Sequence, residues 1–168
     1  MTVEMLPRVR PATPEDAEVV LALVDALADY EKLQRPDDEA KKRLLRDMFG
    51  ERRRIEAYLG EYEGKPVGYA FVFETYSSFL ALPTLYLEDL FVLPAYRSKK
   101  VGYALFTAMV REAYRRGCGR MEWTVLDWNH LAINFYKQLG ARHMKEWQLY
   151  RLLRSDMERL LAHDSSGT

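Results

Sequence analysis

Residues 86 to 103 read as a strand, a basic turn and a helix with no spacer between them. Tyr86-Leu87-Glu88-Asp89-Leu90-Phe91-Val92 has the composition of a strand, and Leu93-Pro94-Ala95-Tyr96 stops it. Arg97-Ser98-Lys99-Lys100-Val101-Gly102 then leads into a helical run from about Tyr103. Such a turn aims several unpaired backbone N–H groups and the positive end of a helix dipole at one spot, the geometry of a phosphate cradle.

The flanking elements extend this unit into an α/β layer. Thr13-Pro14 with Glu15 and Asp16 starts a helix whose apolar residues Val19, Val20, Leu23, Val24 and Leu27 recur on one face to about Leu33. Arg35-Pro36 ends it, and a second helix is predicted from Asp38 to Phe49 with Gly50 as a left-handed cap. Ile55 to Tyr62 alternates, Glu63-Gly64-Lys65 turns and Val67 to Tyr76 is aromatic and branched, so a hairpin is expected, followed by a longer loop over Ser77 to Pro83. After the Tyr103 helix come a strand over Arg120 to Leu126, a short helix over Leu131 to Leu139 closed by Gly140, a strand pair across Ala141 to Leu153, and a short helical tail. The order predicts one domain over residues 1–168, with a core of about 7–153, built as a mixed sheet with helices on both faces.

Several function classes fall away on composition. Lys plus Arg and Asp plus Glu both number 25, so net charge gives no argument for nucleic acid. Cys118 is the one cysteine and His130, His143 and His163 lack a ligand spacing, so no metal is expected. No apolar run approaches the roughly 20 residues that cross a membrane, and Met1 to Arg10 lacks a signal-peptide core, so a cytoplasmic protein is expected. A nucleotide kinase or phosphatase reading of the basic turn fails for want of a Gly-x-x-x-x-Gly-Lys-Ser/Thr pattern.

Two separated segments resemble the GNAT N-acetyltransferases. The Arg97 turn is similar to that family's coenzyme A loop, Arg or Gln, two residues, Gly, one residue, then Gly or Ala. Trp128-Asn129, Ala132, Asn134-Phe135-Tyr136 and Gly140-Ala141 resemble the helix that carries its catalytic tyrosine. Arg10-Pro11-Ala12-Thr13, Tyr30-Glu31, Leu85 to Asp89 and Ile133 to Lys137 look like the diamine and thialysine acetyltransferase branch. The resemblance implies a mostly antiparallel sheet splayed between its fourth and fifth strands, acetyl-CoA as co-substrate and a homodimer.

It further implies that Leu90, Phe91, Val92, Arg97, Ser98, Lys99, Lys100, Val101, Gly102, Tyr103, Asn129, Ala132, Asn134 and Tyr136 bind the coenzyme. Lys100 departs from the pattern, standing where the family has its first glycine. Binding is expected to survive, because the backbone N–H groups are unchanged and a cation suits an anionic ligand.

Acetyl transfer from a thioester to an amine needs a deprotonated amine, a polarised carbonyl and a protonated leaving thiolate. An alkyl ammonium titrates at about 10.4, so a base must act at neutral pH. Glu88 and Asp89 are the carboxylates at hand, and regular alternation would put them on opposite faces, Leu87, Asp89 and Phe91 sharing one. The pattern does not choose between them; the resemblance assigns Glu88 as acceptor-binding carboxylate and water-mediated base, and Tyr136 as general acid. It places Tyr30, Glu31, Glu88, Glu122, Trp123 and Thr124 around a small cationic amine: a diamine, polyamine or lysine analogue. Ser77 follows Tyr76 where polyamine enzymes tend to carry aspartate, which disfavours long polyamines. The competing readings are a non-catalytic coenzyme A binding module and a protein or peptide N-acetyltransferase.

Overall fold

A computed structural model describes residues 6–165 and resolves them into two units, one ending at Thr124 and one beginning at Val125. The first is built on five strands in sequential order: β1 (Arg8–Pro11), β2 (Glu56–Tyr62), β3 (Lys65–Ser77), β4 (Leu82–Val92) and β5 (Arg120–Glu122). Neighbours from β1 to β4 are antiparallel and β4 pairs β5 in parallel, so the sheet is mixed and mostly antiparallel, as expected.

Helices cover both faces of this sheet. Helix α1 (Ala17–Tyr30) follows a short 3-10 turn at Pro14–Asp16, whose Asp16 carboxylate accepts from the Thr13 backbone N–H at 2.8 Å. Helix α2 (Asp38–Phe49) is capped by Asp37, whose side chain accepts from Ala40 N at 2.8 Å, and Lys41 ties it to Asp25 of α1 at 2.7 Å. Both bury their apolar faces against Ala57, Leu59, Tyr69, Phe71 and Phe91. Gly50 is extended rather than left-handed; a Cβ there would stand 2.5 Å from the Arg46 carbonyl oxygen, which is what demands glycine.

Helix α3 (Val101–Arg115) takes the opposite face. Leu59 faces α1, so its neighbour Gly60 faces α3, where a Cβ would lie 2.7 Å from Val101 Cγ1 and 2.9 Å from Leu105 Cδ1. Gly68, beside it on β3, is as crowded, 2.7 Å from the Phe91 carbonyl oxygen. Two glycines thus open a trough in the sheet into which Leu105 sinks completely.

The elements differ from expectation at several places. Strand β1 had no counterpart in the sequence reading, because a four-residue strand is too short for a periodic signal. The loop over Ser77 to Pro83 shrinks to a tight turn, since β3 and β4 pair out to Ser77 and Leu82. Strand β5 ends at Glu122 instead of Leu126, where its pairing with Tyr86 ends.

The second unit holds α4 (His130–Gln138) and α5 (Arg154–Ser165). The strand pair expected across Ala141 to Leu153 is absent. Its alternating apolar residues look like strands, but strands need neighbours for their backbone groups, and among the described residues the sheet stops at β5. Among the described residues no helix is long and apolar enough to cross a membrane, and no His, Cys, Asp and Glu cluster could hold a metal ion.

Candidate active site

Strand β4 carries an irregularity that alternation does not foresee. Asp89 pairs with Phe71 and Leu87 with Val72, so one step on β3 spans two on β4 and Glu88 is the extra residue of a β-bulge. Leu87 and Asp89 therefore lie opposite adjacent residues and on opposite faces, which corrects the expectation that they share one. Asp89 joins the α1 face, where the buried Tyr69 hydroxyl donates to its Oδ2 at 2.9 Å.

Three carboxylates meet here. Glu31, just past α1, and Glu88 at the bulge both act electrostatically on Asp89 and Tyr69. Burial, reinforced by those two charges, pushes Asp89 up to about 6 even though the Tyr69 hydroxyl favours its charged form. Burial also raises Glu31 and, with the Asp89 charge, lifts the Tyr69 phenol far above its ordinary range. Glu31 and Glu88, both expected on the acceptor side, thus act on the same buried pair, Tyr69 and Asp89.

Aromatic rings flank the cluster. Tyr30 lies 6.0 Å from Phe91, and the Arg97 guanidinium sits 4.3 Å over the Tyr30 ring. Arg97 Nε also donates to the Val92 carbonyl at 3.2 Å, so this side chain fastens the basic turn to β4 and α1. Lys99 lies 5.6 Å over the Tyr62 ring.

The turn itself is a 3-10 segment, Pro94–Lys99, followed by Lys100 with φ 61 and ψ 14 as the N-cap of α3. That is the left-handed conformation that glycine adopts most readily, so the backbone keeps the shape the glycine pattern implies although the residue is lysine. Val101, Gly102 and Tyr103 form the first helical turn, whose N–H groups have no partner within the helix. On the β5 side, strand pairing covers only Thr84 to Tyr86, so Leu90, Phe91 and Val92 face no fifth strand among the described residues. The sheet is open where the resemblance implied a splay.

The remaining expected residues stand on other elements. Glu122 pairs with Arg120 at 2.7 Å, and the Trp123 ring stands edge-on to Phe106 of α3 at 5.3 Å; the next residue, Thr124, is exposed. In the second unit, the Asn129 side chain accepts from Ala132 N at 3.2 Å and so caps α4. Ala132 and Tyr136 share a helical face four residues apart, exposed Asn134 stands on the other side of α4, and the Tyr136 ring meets Phe135 at 5.5 Å.

A groove of about 630 Å³ in the first unit includes Met48, Arg53, Arg54, Glu56, Val72 and Glu74 in its walls. None of the expected coenzyme- or acceptor-binding residues lines it, although Val72 is the partner of Leu87 just before the bulge. Sequence reasoning missed the Tyr69–Asp89 pair. Two adjacent acids inside an apolar strand were the available signal; that a bulge turns one of them onto Tyr69 depends on pairing register.

Comparison with known proteins supplies the context for this arrangement. Residues 21–141 match the acetyltransferase (GNAT) family. A thialysine N-epsilon-acetyltransferase of Mus musculus is 31% identical over 155 residues, covering 86% of this chain and 91% of that protein. An L-ornithine N5-acetyltransferase of Arabidopsis thaliana is 49% identical over 85 residues, which span 51% of this chain and 37% of that longer protein. Among solved structures, a V. cholerae integron cassette protein superposes with a TM-score of 0.78 at 21% identity, covering 94% of this chain and 98% of that one.

Proposed function

The chain belongs to the acetyltransferase (GNAT) family, as an N-acetyltransferase of the diamine and thialysine branch, and from that premise we propose that it moves an acetyl group from acetyl-CoA to the side-chain amine of a small cationic acceptor of the lysine-analogue, ornithine or short-diamine type. The observation that carries this reading is the convergence of Glu31, Glu88 and Asp89 beside Tyr30 and Phe91. A cluster of carboxylates with aromatic rings attracts an ammonium by charge and by the ring faces.

The roles follow from the chemistry. Glu88 receives the acceptor ammonium and holds the water through which its proton leaves. The backbone N–H groups along Leu90 to Val92 hold the thioester oxygen, and Tyr136 protonates the departing thiolate. The turn from Arg97 to Lys100 and the first turn of α3 hold the pyrophosphate, with Asn129, Ala132 and Asn134 supporting the coenzyme from α4. Glu122, Trp123 and Thr124 complete the acceptor side. A homodimer belongs to this reading, with exposed Trp147, Leu149 and Tyr150 as apolar surface for it.

Mass spectrometry of the protein with acetyl-CoA and a panel of ornithine, thialysine, lysine, short diamines, spermidine and peptides tests the proposal. Singly acetylated small amines are the expected products, with spermidine the weaker acceptor. Acetyl-CoA binding without any acetylated amine would favour a non-catalytic coenzyme module, and acetylated peptides alone would favour a protein acetyltransferase.

Lys100 offers a separate check. Lys100→Gly removes a left-handed non-glycine residue, which stabilises by up to about 1 kcal/mol, and deletes a cation from the coenzyme loop. A melting temperature higher by a few degrees together with severalfold weaker acetyl-CoA binding is expected. Tighter binding would show that the lysine contributes no useful phosphate contact.

A further inference from the structure

The proton that the acceptor gives up needs somewhere to go, and Asp89 stands apart from the two other acids of the cluster. It is held by a hydrogen bond from a fully buried tyrosine on the neighbouring strand, Tyr69 Oη to Asp89 Oδ2 at 2.9 Å, which occupies one carboxylate oxygen. Glu88, by contrast, is exposed at the crest of the bulge. A bulge that seats one acid in a fixed hydrogen bond and leaves its neighbour exposed separates holding an ammonium from storing a proton.

Resting on the acetyltransferase reading, we propose that Asp89, oriented by Tyr69, is the terminal acceptor of the proton released by the amine, while Glu88 binds the ammonium and the relaying water. The nitrogen forms its bond to the acetyl carbon as the carbon–sulfur bond breaks. Of the two protons the ammonium loses, one reaches the thiolate by way of Tyr136 and the other reaches Asp89, which returns it to solvent.

The surroundings suit this task. Tyr69 from β3, Glu88 on β4 and Glu31 from the end of α1 face the carboxylate. Arg97 lies 5.8 Å over the Phe91 ring, two residues along β4. Partial burial and two neighbouring negative charges make Asp89 a stronger base than an ordinary aspartate, with a value of about 6 that leaves it charged, and ready, at neutral pH. The Tyr69 hydrogen bond favours the charged form, so it sets where the acid limb of the reaction falls.

The test is the pH dependence of kcat/KM for ornithine or thialysine between pH 5 and 8.5, in the wild type and in Asp89→Asn, Tyr69→Phe, Glu88→Gln and Glu31→Gln. The wild type is expected to lose activity as pH falls through about 6. Asp89→Asn, nearly isosteric and still able to accept from Tyr69, is expected to lose that limb and about 100-fold or more in kcat, with KM for acetyl-CoA unchanged. Tyr69→Phe is expected to move the limb to higher pH and to regain most of the wild-type rate at pH 8.5. Glu88→Gln is expected to raise KM for the amine and keep the limb.

An unmoved limb in Tyr69→Phe, a wild-type rate in Asp89→Asn, or a limb that vanishes in Glu31→Gln instead would overturn the assignment. Should Asp89→Asn melt below the assay temperature, the Tyr69→Phe profile decides alone. A wild type that acetylates no amine overturns the acetyltransferase reading; one that acetylates amines without these shifts overturns only the role of Asp89.

Discussion

Tyr136→Phe is expected to lower kcat by about 100-fold or more, the usual range for losing a general acid, with KM for acetyl-CoA little changed. The ring should stay where it is, because Phe135 packs against it at 5.5 Å and because α4 is held by the Asn129 cap and closed by the left-handed Gly140. What is lost is a proton. A phenol titrates near 10 and a thiol near 8.5, so the tyrosine gives its proton to the thiolate only across a close hydrogen bond, and phenylalanine has none to give. Steady-state kinetics in both substrates read the effect; a kcat within twofold of wild type would remove Tyr136 from the mechanism.

Leu105→Ala is expected to cost about 2–5 kcal/mol of stability, as truncations in well-packed cores do. Leu105 has no exposed surface, and its Cδ1 fills the space that side chains at Gly60 and Gly68 would otherwise take. The trough is walled by hydrogen-bonded strands, so it cannot close over the smaller residue, and a cavity is left. For a chain of this size the melting temperature should fall on the order of 10 °C. Thermal and denaturant unfolding measure it, and a loss below about 1 kcal/mol would mean that α3 shifts to fill the gap.

Local chemistry made the strand, basic turn and α3 legible in the sequence. Pro94 and the basic residues from Arg97 break the strand, and helical spacing begins just beyond, so both boundaries are written in adjacent residues. The same holds for α1, α2 and α4, each with its own apolar period and cap. Tyr30, Glu31 and Glu88 were legible as candidates for the acceptor side because aromatic and acidic residues are conspicuous in such settings.

Pairing between distant strands decided the rest. The bulge at Glu88 exists only because β3 and β4 slip by one residue between Phe71 and Val72, and no pattern within β4 announces a slip that its partner imposes. The segment from Ala141 to Leu153 errs the other way: it has the alternation of strands, but no neighbouring strand supplies the hydrogen bonds.

The sequence by itself determined the helices, the hairpin, the α/β class and the family, since these follow from periodicity, caps and short motifs read within a few turns of chain. Only the tertiary structure decided that Lys100 takes a glycine's conformation, that Arg97 lies on Tyr30, and that Asp89 turns onto Tyr69 and away from the face of Leu87. Each of these depends on register and packing between residues far apart in the chain, where one residue of slip exchanges the two faces of a strand.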